Sequence, residues 1–337
     1  ITLSIIISIA SIYFQNGLIL MFVLLILAKT ALEKSHILFL YLLFSPFLYF
    51  VEYSNFASYF IFVTFVILFS SSFSFKLDKV FSIYLLFVFP IIISLCFLPQ
   101  STASIQEIMM FKERLYPEIT EDFRLQPNQI ALLAAICCFI CFIKRKFLFF
   151  AIAFLILLWT QSRSGLVFLI VSMFFSNKLT LKRTFLPLIS ILIVVCVILL
   201  TPIKDRFVNY QENGRLETYA LYYNMLNNAF PFGYPISIYE SFIEFNGAGI
   251  DNLYLFGYLS WGVLFFYCFF LFIFSYIKNT KDEYFYIRRA LFFAFLVHGI
   301  VESSLLANVL AWIIFAMCFN SFNGALPRFS LSNKKWK

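Results

Sequence analysis

The chain has 337 residues, 62% of them hydrophobic and only 12% charged, with 25 basic against 17 acidic side chains and a net charge of +8. A soluble domain carries about twice that charged fraction, so a water-soluble globular protein is excluded. The apolar runs are continuous rather than alternating, which favours helices over a barrel as the way to satisfy every backbone group inside lipid.

In chain order, twelve apolar segments stand out, near 1–14, 17–28, 36–51, 55–73, 80–98, 128–143, 147–160, 165–176, 184–201, 251–277, 289–303 and 307–322. They predict an all-α, polytopic integral membrane protein, a single transmembrane domain over 1–337 with about twelve spans. No cleavable signal peptide is expected within Ile1–Phe14, which lacks a basic leader and a small-residue cleavage site. Several segments fall short of the roughly 20 residues a perpendicular helix needs, which local thinning or burial inside a bundle accommodates. All seven cysteines, Cys96, Cys137, Cys138, Cys141, Cys196, Cys268 and Cys318, lie in apolar runs. The "CCFIC" cluster has no second ligand set, so small packing residues are expected there rather than a metal site or a disulfide framework.

Alternate connections collect the cations: Lys29 and Lys34, Lys76 and Lys79, "KRK" at 144–146, then Lys178, Lys182 and Arg183. Lys278, Lys281, Arg288 and Arg289 follow, then Arg328, Lys334, Lys335 and Lys337, so this side holds 18 of the 25 basic residues and 4 of the 17 acids. By the positive-inside rule it is cytoplasmic and carries both termini. The net positive charge then reflects orientation, not affinity for nucleic acid. One arginine tests the assignment. If 147–176 were one helix it would span about 45 Å against a core of about 30 Å, with Arg163 near mid-bilayer, where a guanidinium is costly. A turn at "TQSRSG" puts both basic flanks inside and Arg163 at the outer boundary. The hairpin is therefore predicted, with anchoring by snorkelling as the plainest role for the arginine.

Two long connections, 99–127 and 202–250, fall on the external side. The second predicts an amphipathic helix from about Leu216 to Asn228, with Tyr219, Tyr222, Tyr223, Leu226 and Phe230 on its apolar side, lying on the bilayer or capping the bundle. The internal connections are short, which leaves no room to bind a soluble nucleotide donor. There is neither a phosphate-cradling glycine loop nor an Asp-x-Asp pair. Polar candidates gather outside: Arg163; Arg215 in "NGRLETY"; Asp251 and Asn252, which open "DNLYLFGYLSWGVLFF"; and Arg124 with Pro127 and Asn128. Asp251 is expected to cap the helix it begins. His298 and Glu302, four apart in "HGIVESSLL", are expected to share a helix face, as functional groups or as a hydrogen-bonded pair. Loop tyrosines such as Tyr219 could stack on sugars or sit at the membrane interface.

Taken in order, "FRLQPN", "TQSRSGL", "GRLETY" with "NAFPFGY" in a large external loop, "DNLYLFGYLSWGVLFF" and "HGIVES" resemble the O-antigen polymerase and O-antigen ligase superfamily of bacterial membrane glycosyltransferases. The resemblance runs from about Arg124 to Phe322. Ligases of that superfamily carry His-Asn where this chain has Asp251-Asn252, so the polymerase side is favoured. The resemblance implies a class C-like glycosyltransferase bundle in the bacterial cytoplasmic membrane. It implies undecaprenyl-pyrophosphate-linked repeat units joined on the outer face, for an O-antigen or a capsule. No metal or other cofactor is implied. The implied partners are lipid-linked glycans, membrane lipids, a chain-length regulator and other assembly proteins.

The chemistry suits the residues. A pyrophosphate leaving group needs fixed cations near the headgroups, and arginine offers a planar, permanently charged fork. Arg163, Arg215 and Arg124 are the expected cations. The acceptor hydroxyl needs a base, with Asp251 the first choice and Glu302 the second; Asn252, Asn128, His298 and Tyr219 are expected to support them. Three other readings compete: a ligase moving finished glycan to lipid A core or another acceptor, a transporter without chemistry, and a membrane scaffold. Transporters often show related halves and midplane charges, and neither is visible here. The orientation is tested by single cysteines placed at Ser104 and at Lys146 in a chain cleared of native thiols. An impermeant maleimide should label position 104 from outside in intact cells and position 146 only after permeabilisation.

Overall fold

The computed structural model describes residues 77–100, 104–120, 123–176, 252–262, 284–305 and 308–319, with isolated positions at 220, 222, 223, 225, 226, 265 and 273. The four segments predicted before residue 77 and the one at 184–201 lie outside them, as do Arg215, Tyr219 and Asp251. The described part is mostly helical, which bears out the helical class but not the count of spans. Its helices are α1 (Leu77–Leu95), α2 (Ile105–Met109), α3 (Pro127–Ile143), α4 (Phe147–Trp159), α5 (Arg163–Phe175), α6 (Leu253–Trp261), α7 (Phe285–Val301) and α8 (Val309–Met317). Between α2 and α3 the chain makes a small antiparallel pair, β1 (Glu118–Thr120) and β2 (Phe123–Arg124), with Glu118 opposite Arg124. Among the described residues α1 alone is long and apolar enough to cross a membrane; α3, α4 and α5 are shorter apolar helices.

The core is built around α3. It has no charged residue, and every side chain from Ile130 to Cys141 is buried. A helix apolar on all sides is stable only when other elements surround it, and α1, α4, α5 and α8 do so. Small side chains let them come close: Ala131, Ala134, Ala135, Cys137, Cys138 and Cys141 lie on α3. The three thiols are buried and not disulfide-bonded, in the packing role expected of them. Gly165 at the start of α5 marks the tightest approach. A Cβ there would stand 2.8 Å from both the Ala131 Cβ and the Leu157 Cδ1, and 3.1 Å from the Ala131 carbonyl.

Helix directions follow from paired residues. Lys144 at the end of α3 meets Asp78 at the start of α1, 2.8 Å from Nζ to Oδ1. Arg289 at the start of α7 donates to the Phe175 carbonyl at the end of α5, at 2.9 and 3.2 Å. It lies over the rings of Tyr286, Phe285 and Phe175 at 4.9, 5.7 and 5.8 Å. That contact satisfies an orphan carbonyl at a helix C-terminus, where a cation is also favoured. Phe168 then packs edge-on against Phe295, so α7 runs antiparallel to α5. Phe295 meets Phe315, and Phe292 meets Phe319, so α8 turns back along α7. The Tyr254 hydroxyl donates to the Leu296 carbonyl at 2.7 Å, and Asn252 reaches the Ile300 carbonyl, so α6 is antiparallel to α7 as well.

The two ends of the bundle therefore differ. One holds Lys144, Arg145, Lys146 and Arg289; the other holds the starts of α3, α5, α6 and α8 and the end of α7. Arg288, assigned from sequence to a basic connection, is instead buried in the first turn of α7. The α3–α4 turn closes with Arg145 left-handed at φ 55°. The Lys146 amide donates to the Cys141 carbonyl and the Arg145 amide to the Phe142 carbonyl, the pair of bonds that ends a helix with one left-handed residue. The chain also breaks at 160–162, so the predicted turn at "TQSRSG" forms and both α4 and α5 pack on α3. The long segment expected over 251–277 is interrupted. Gly262, at φ 56°, ends α6 after nine residues, because a residue without Cβ takes that conformation without strain.

The close approach at Gly165 makes a packing prediction. Gly165→Ala should destabilise the purified protein by about 1–3 kcal/mol. Adding Ala131→Gly should recover part of the loss, read as the unfolding temperature in detergent.

Candidate active site

The polar end of the bundle begins at the α4–α5 turn. Helix α4 ends with backbone carbonyls that have no partner within the helix. The connection that precedes α3 in sequence supplies donors to them. The Leu115 amide donates to the Trp159 carbonyl, and the Arg114 Nε donates to the Thr160 carbonyl, both at 2.9 Å. In return the Gln161 Nε2 donates to the carbonyls of Phe111 and Glu113, at 3.0 Å each. Gln161 and Phe111 are both left-handed, at φ 48° and φ 57°. A residue with a Cβ adopts that conformation at a cost of about 1–2 kcal/mol, so the cross-links hold two strained positions against each other.

The rest of this connection is ordered by local bonds. Gln100 donates to the Leu98 carbonyl at 2.8 Å and accepts from the Tyr116 amide at 2.9 Å. Ser104 and Glu107 form a reciprocal cap on α2. Hydrogen bonds from the Ser104 backbone and then its side chain hold the Glu107 carboxyl below the usual carboxylate range.

Arg114 makes a second contact. Its Nη2 donates to the Asn128 Oδ1 at 2.9 Å, and the Asn128 Nδ2 donates to the Glu302 Oε2. Arginine only donates and a carboxylate only accepts, so the amide between them can point one way. Pro127 opens α3 at its first helical position, where its missing N–H is no loss, and places Asn128 one residue on. Glu302 arrives from the far part of the chain. It ends α7 with extended backbone at φ −157° and ψ 140°, its amide on the His298 carbonyl at 2.9 Å, and it is 4% exposed. A carboxyl this deep needs such partners. Asn308 ties α8 to the same helix: it caps α8 through the Ala311 amide and donates to the Gln129 carbonyl, next to Asn128, at 3.1 Å.

The expected shared face of His298 and Glu302 does not form. The helix stops at Val301, so the residue four beyond the histidine leaves the helical path. The buried imidazole packs edge-on near Phe168, and among the described residues neither ring nitrogen has a hydrogen-bond partner. The cap of α6 is also one residue later than expected. Asn252 is its N-cap and accepts from the amides of Tyr254 and Leu255 at 2.9 Å each; Asp251 lies outside the described residues. The Asn252 Nδ2 then holds the Ile300 carbonyl at 2.8 Å, which ties α6 to the turn that carries Glu302.

Of the predicted cations, Arg163 is the first residue of α5, partly exposed, just after Ser162, whose side chain accepts from the Gly165 amide. It stands at the same end of the bundle as Asn128 and Glu302. Arg124 lies in β2 opposite Glu118. Of the predicted amphipathic segment, the described positions 220, 222, 223 and 225 are helical. Tyr222 is buried beside Leu259 of α6, with Met225 and Leu226 against the same cluster, while Tyr223 is 70% exposed. That segment therefore seats one face on the bundle. The structure thus joins Asn128 to Glu302 and ties Asn252 to the adjoining turn. It adds Arg114, Gln161 and Asn308, which charge patterns did not single out. A glutamine beside the turn serine and an arginine in the preceding long connection were the available signals.

Gln161 yields a graded prediction. Gln161→Ala loses two hydrogen bonds of about 1 kcal/mol each and keeps the left-handed strain. Gln161→Gly loses the same bonds but escapes a backbone cost of about 1–2 kcal/mol. The alanine variant should therefore be the less stable and the faster cut by protease within 104–118. Comparisons of the chain with protein-family models, with curated proteins and with solved structures return no match.

Proposed function

We propose that the protein is a multi-pass enzyme of the bacterial cytoplasmic membrane that polymerises undecaprenyl-pyrophosphate-linked repeat units on the outer face, for an O-antigen or a capsule. The observation that supports this most is the convergence at one bundle end of a buried carboxylate, Glu302, and the arginine-anchored amide that holds it. Arg163 opens the next helix at the same end. The opposite end is basic and lies where the positive-inside rule puts cytoplasm.

In the proposed reaction an acceptor sugar hydroxyl attacks the anomeric carbon of a lipid-linked glycan. The new glycosidic bond forms as the bond from that carbon to the pyrophosphate oxygen breaks. A carboxylate, Asp251 or Glu302, takes the hydroxyl proton. The departing lipid pyrophosphate gains negative charge, which Arg163, Arg215 and Arg124 stabilise as preorganised cations. Bond making and bond breaking balance without a metal. The apolar surface of α4, with Phe147, Leu148 and Leu155 exposed, suits contact with lipid chains. Asp251 in place of histidine favours elongation over ligation.

The test uses cells lacking the native gene and complemented with variants at equal membrane level. Arg163→Ala or Arg215→Ala should abolish long-chain product while single repeat units still reach the acceptor. Loss of all attached glycan would mean ligation instead. Unaltered chain-length ladders in both variants would remove the two arginines from the site. Asp251→Asn and Glu302→Gln separate the two candidate bases, the true one losing about 100- to 10,000-fold in rate.

A further inference from the structure

We infer that Arg114 is a positioning residue for Glu302, acting through Asn128; the inference rests on the glycosyl-transfer reading above. The two contacts of Arg114 leave its fork in different directions, Nε to the Thr160 carbonyl and Nη2 to the Asn128 amide oxygen. The first ties the guanidinium to the α4–α5 turn, which Gln161 also cross-links to the same segment. The second transmits that position to the start of α3.

Asn128 then carries it to the Glu302 carboxylate, 174 residues on in sequence. Glu302 needs such help, because it follows the last residue of α7 and has no helical backbone of its own to orient it. Its amide is fixed on the His298 carbonyl and its Oε2 on Asn128. Held at both ends, the carboxylate can meet an acceptor hydroxyl without first reorganising, and a base displaced by about 1 Å loses on the order of 100-fold in rate. The connection is directional at every link: a cation donates to an amide oxygen, and the amide nitrogen donates to an anion. Charge-assisted bonds of this kind are short and specific, and lysine cannot replace the fork, having one nitrogen for two divergent acceptors.

The test is elongation by full-length protein in lipid vesicles, with an undecaprenyl-pyrophosphate-linked repeat unit as probe. Arg114→Ala and Asn128→Ala should each lower kcat about 100-fold, with KM held within about threefold. The double variant should be no slower than either single one, since both cut one connection. Arg114→Lys should behave as Arg114→Ala. The unfolding temperature in detergent controls for a merely structural role, which would move stability and leave kcat of the folded fraction unchanged. Additive losses, or a raised KM with kcat intact, would overturn the inference. So would an active Arg114→Ala beside an inactive Glu302→Gln, which leaves the glycosyl-transfer reading standing. A wild-type protein that elongates nothing ends both.

Discussion

Every helix that stops inside an apolar assembly leaves carbonyls or amides that something must satisfy. In this protein that requirement organises the polar end. Helix α4 has thirteen residues without a charge and stops short of Arg163, so its terminal carbonyls need donors from outside the helix. The segment 111–115 answers them, and in doing so lays Arg114 beside Asn128. The site thus grows out of helix termination: α3, α5, α6 and α8 begin here and α7 ends here, each contributing a capping or terminal polar residue.

The same logic separates the two ends. At the basic end the caps are cations, with Arg289 on the end of α5 and Lys144 reaching across to α1. Their favourable place is at helix C-termini. At the other end the caps are amides and hydroxyls, Asn252, Asn308 and Ser162, which accept from helix N-termini. Helix polarity and charge meet in these contacts, because cations close the C-termini of α3 and α5 at one end while amides and a hydroxyl close the N-termini of α5, α6 and α8 at the other.

Much of this is legible in the residues alone. Charge bookkeeping on either side of "TQSRSG" requires a turn, and α4 and α5 part there within a residue or two of the predicted bounds. The apolar runs near 128–143 and 147–160 match α3 and α4 as closely. Periodicity fails where a helix ends by tertiary demand. His298 and Glu302 look like neighbours only if the helix continues, and nothing in "HGIVES" tells that the backbone extends after Val301. Asp251 and Asn252 are equally good caps by type, and the choice falls on the one whose amide nitrogen can also reach Ile300. Arg114 and Arg124 share a loop and a charge. Only the folded turn at Trp159–Gln161 distinguishes them.

The links that assemble the polar end span 14, 46 and 174 positions along the chain. Arg114 and Asn128 are made before the α4–α5 turn exists, and both long before Glu302. During synthesis the connection between α1 and α3 must therefore wait for a turn not yet made, and the carboxylate joins only after α7 has been synthesised. Maturation of this region is consequently a late step in biogenesis, so a nascent chain halted ahead of residue 302 holds the scaffold without its acid.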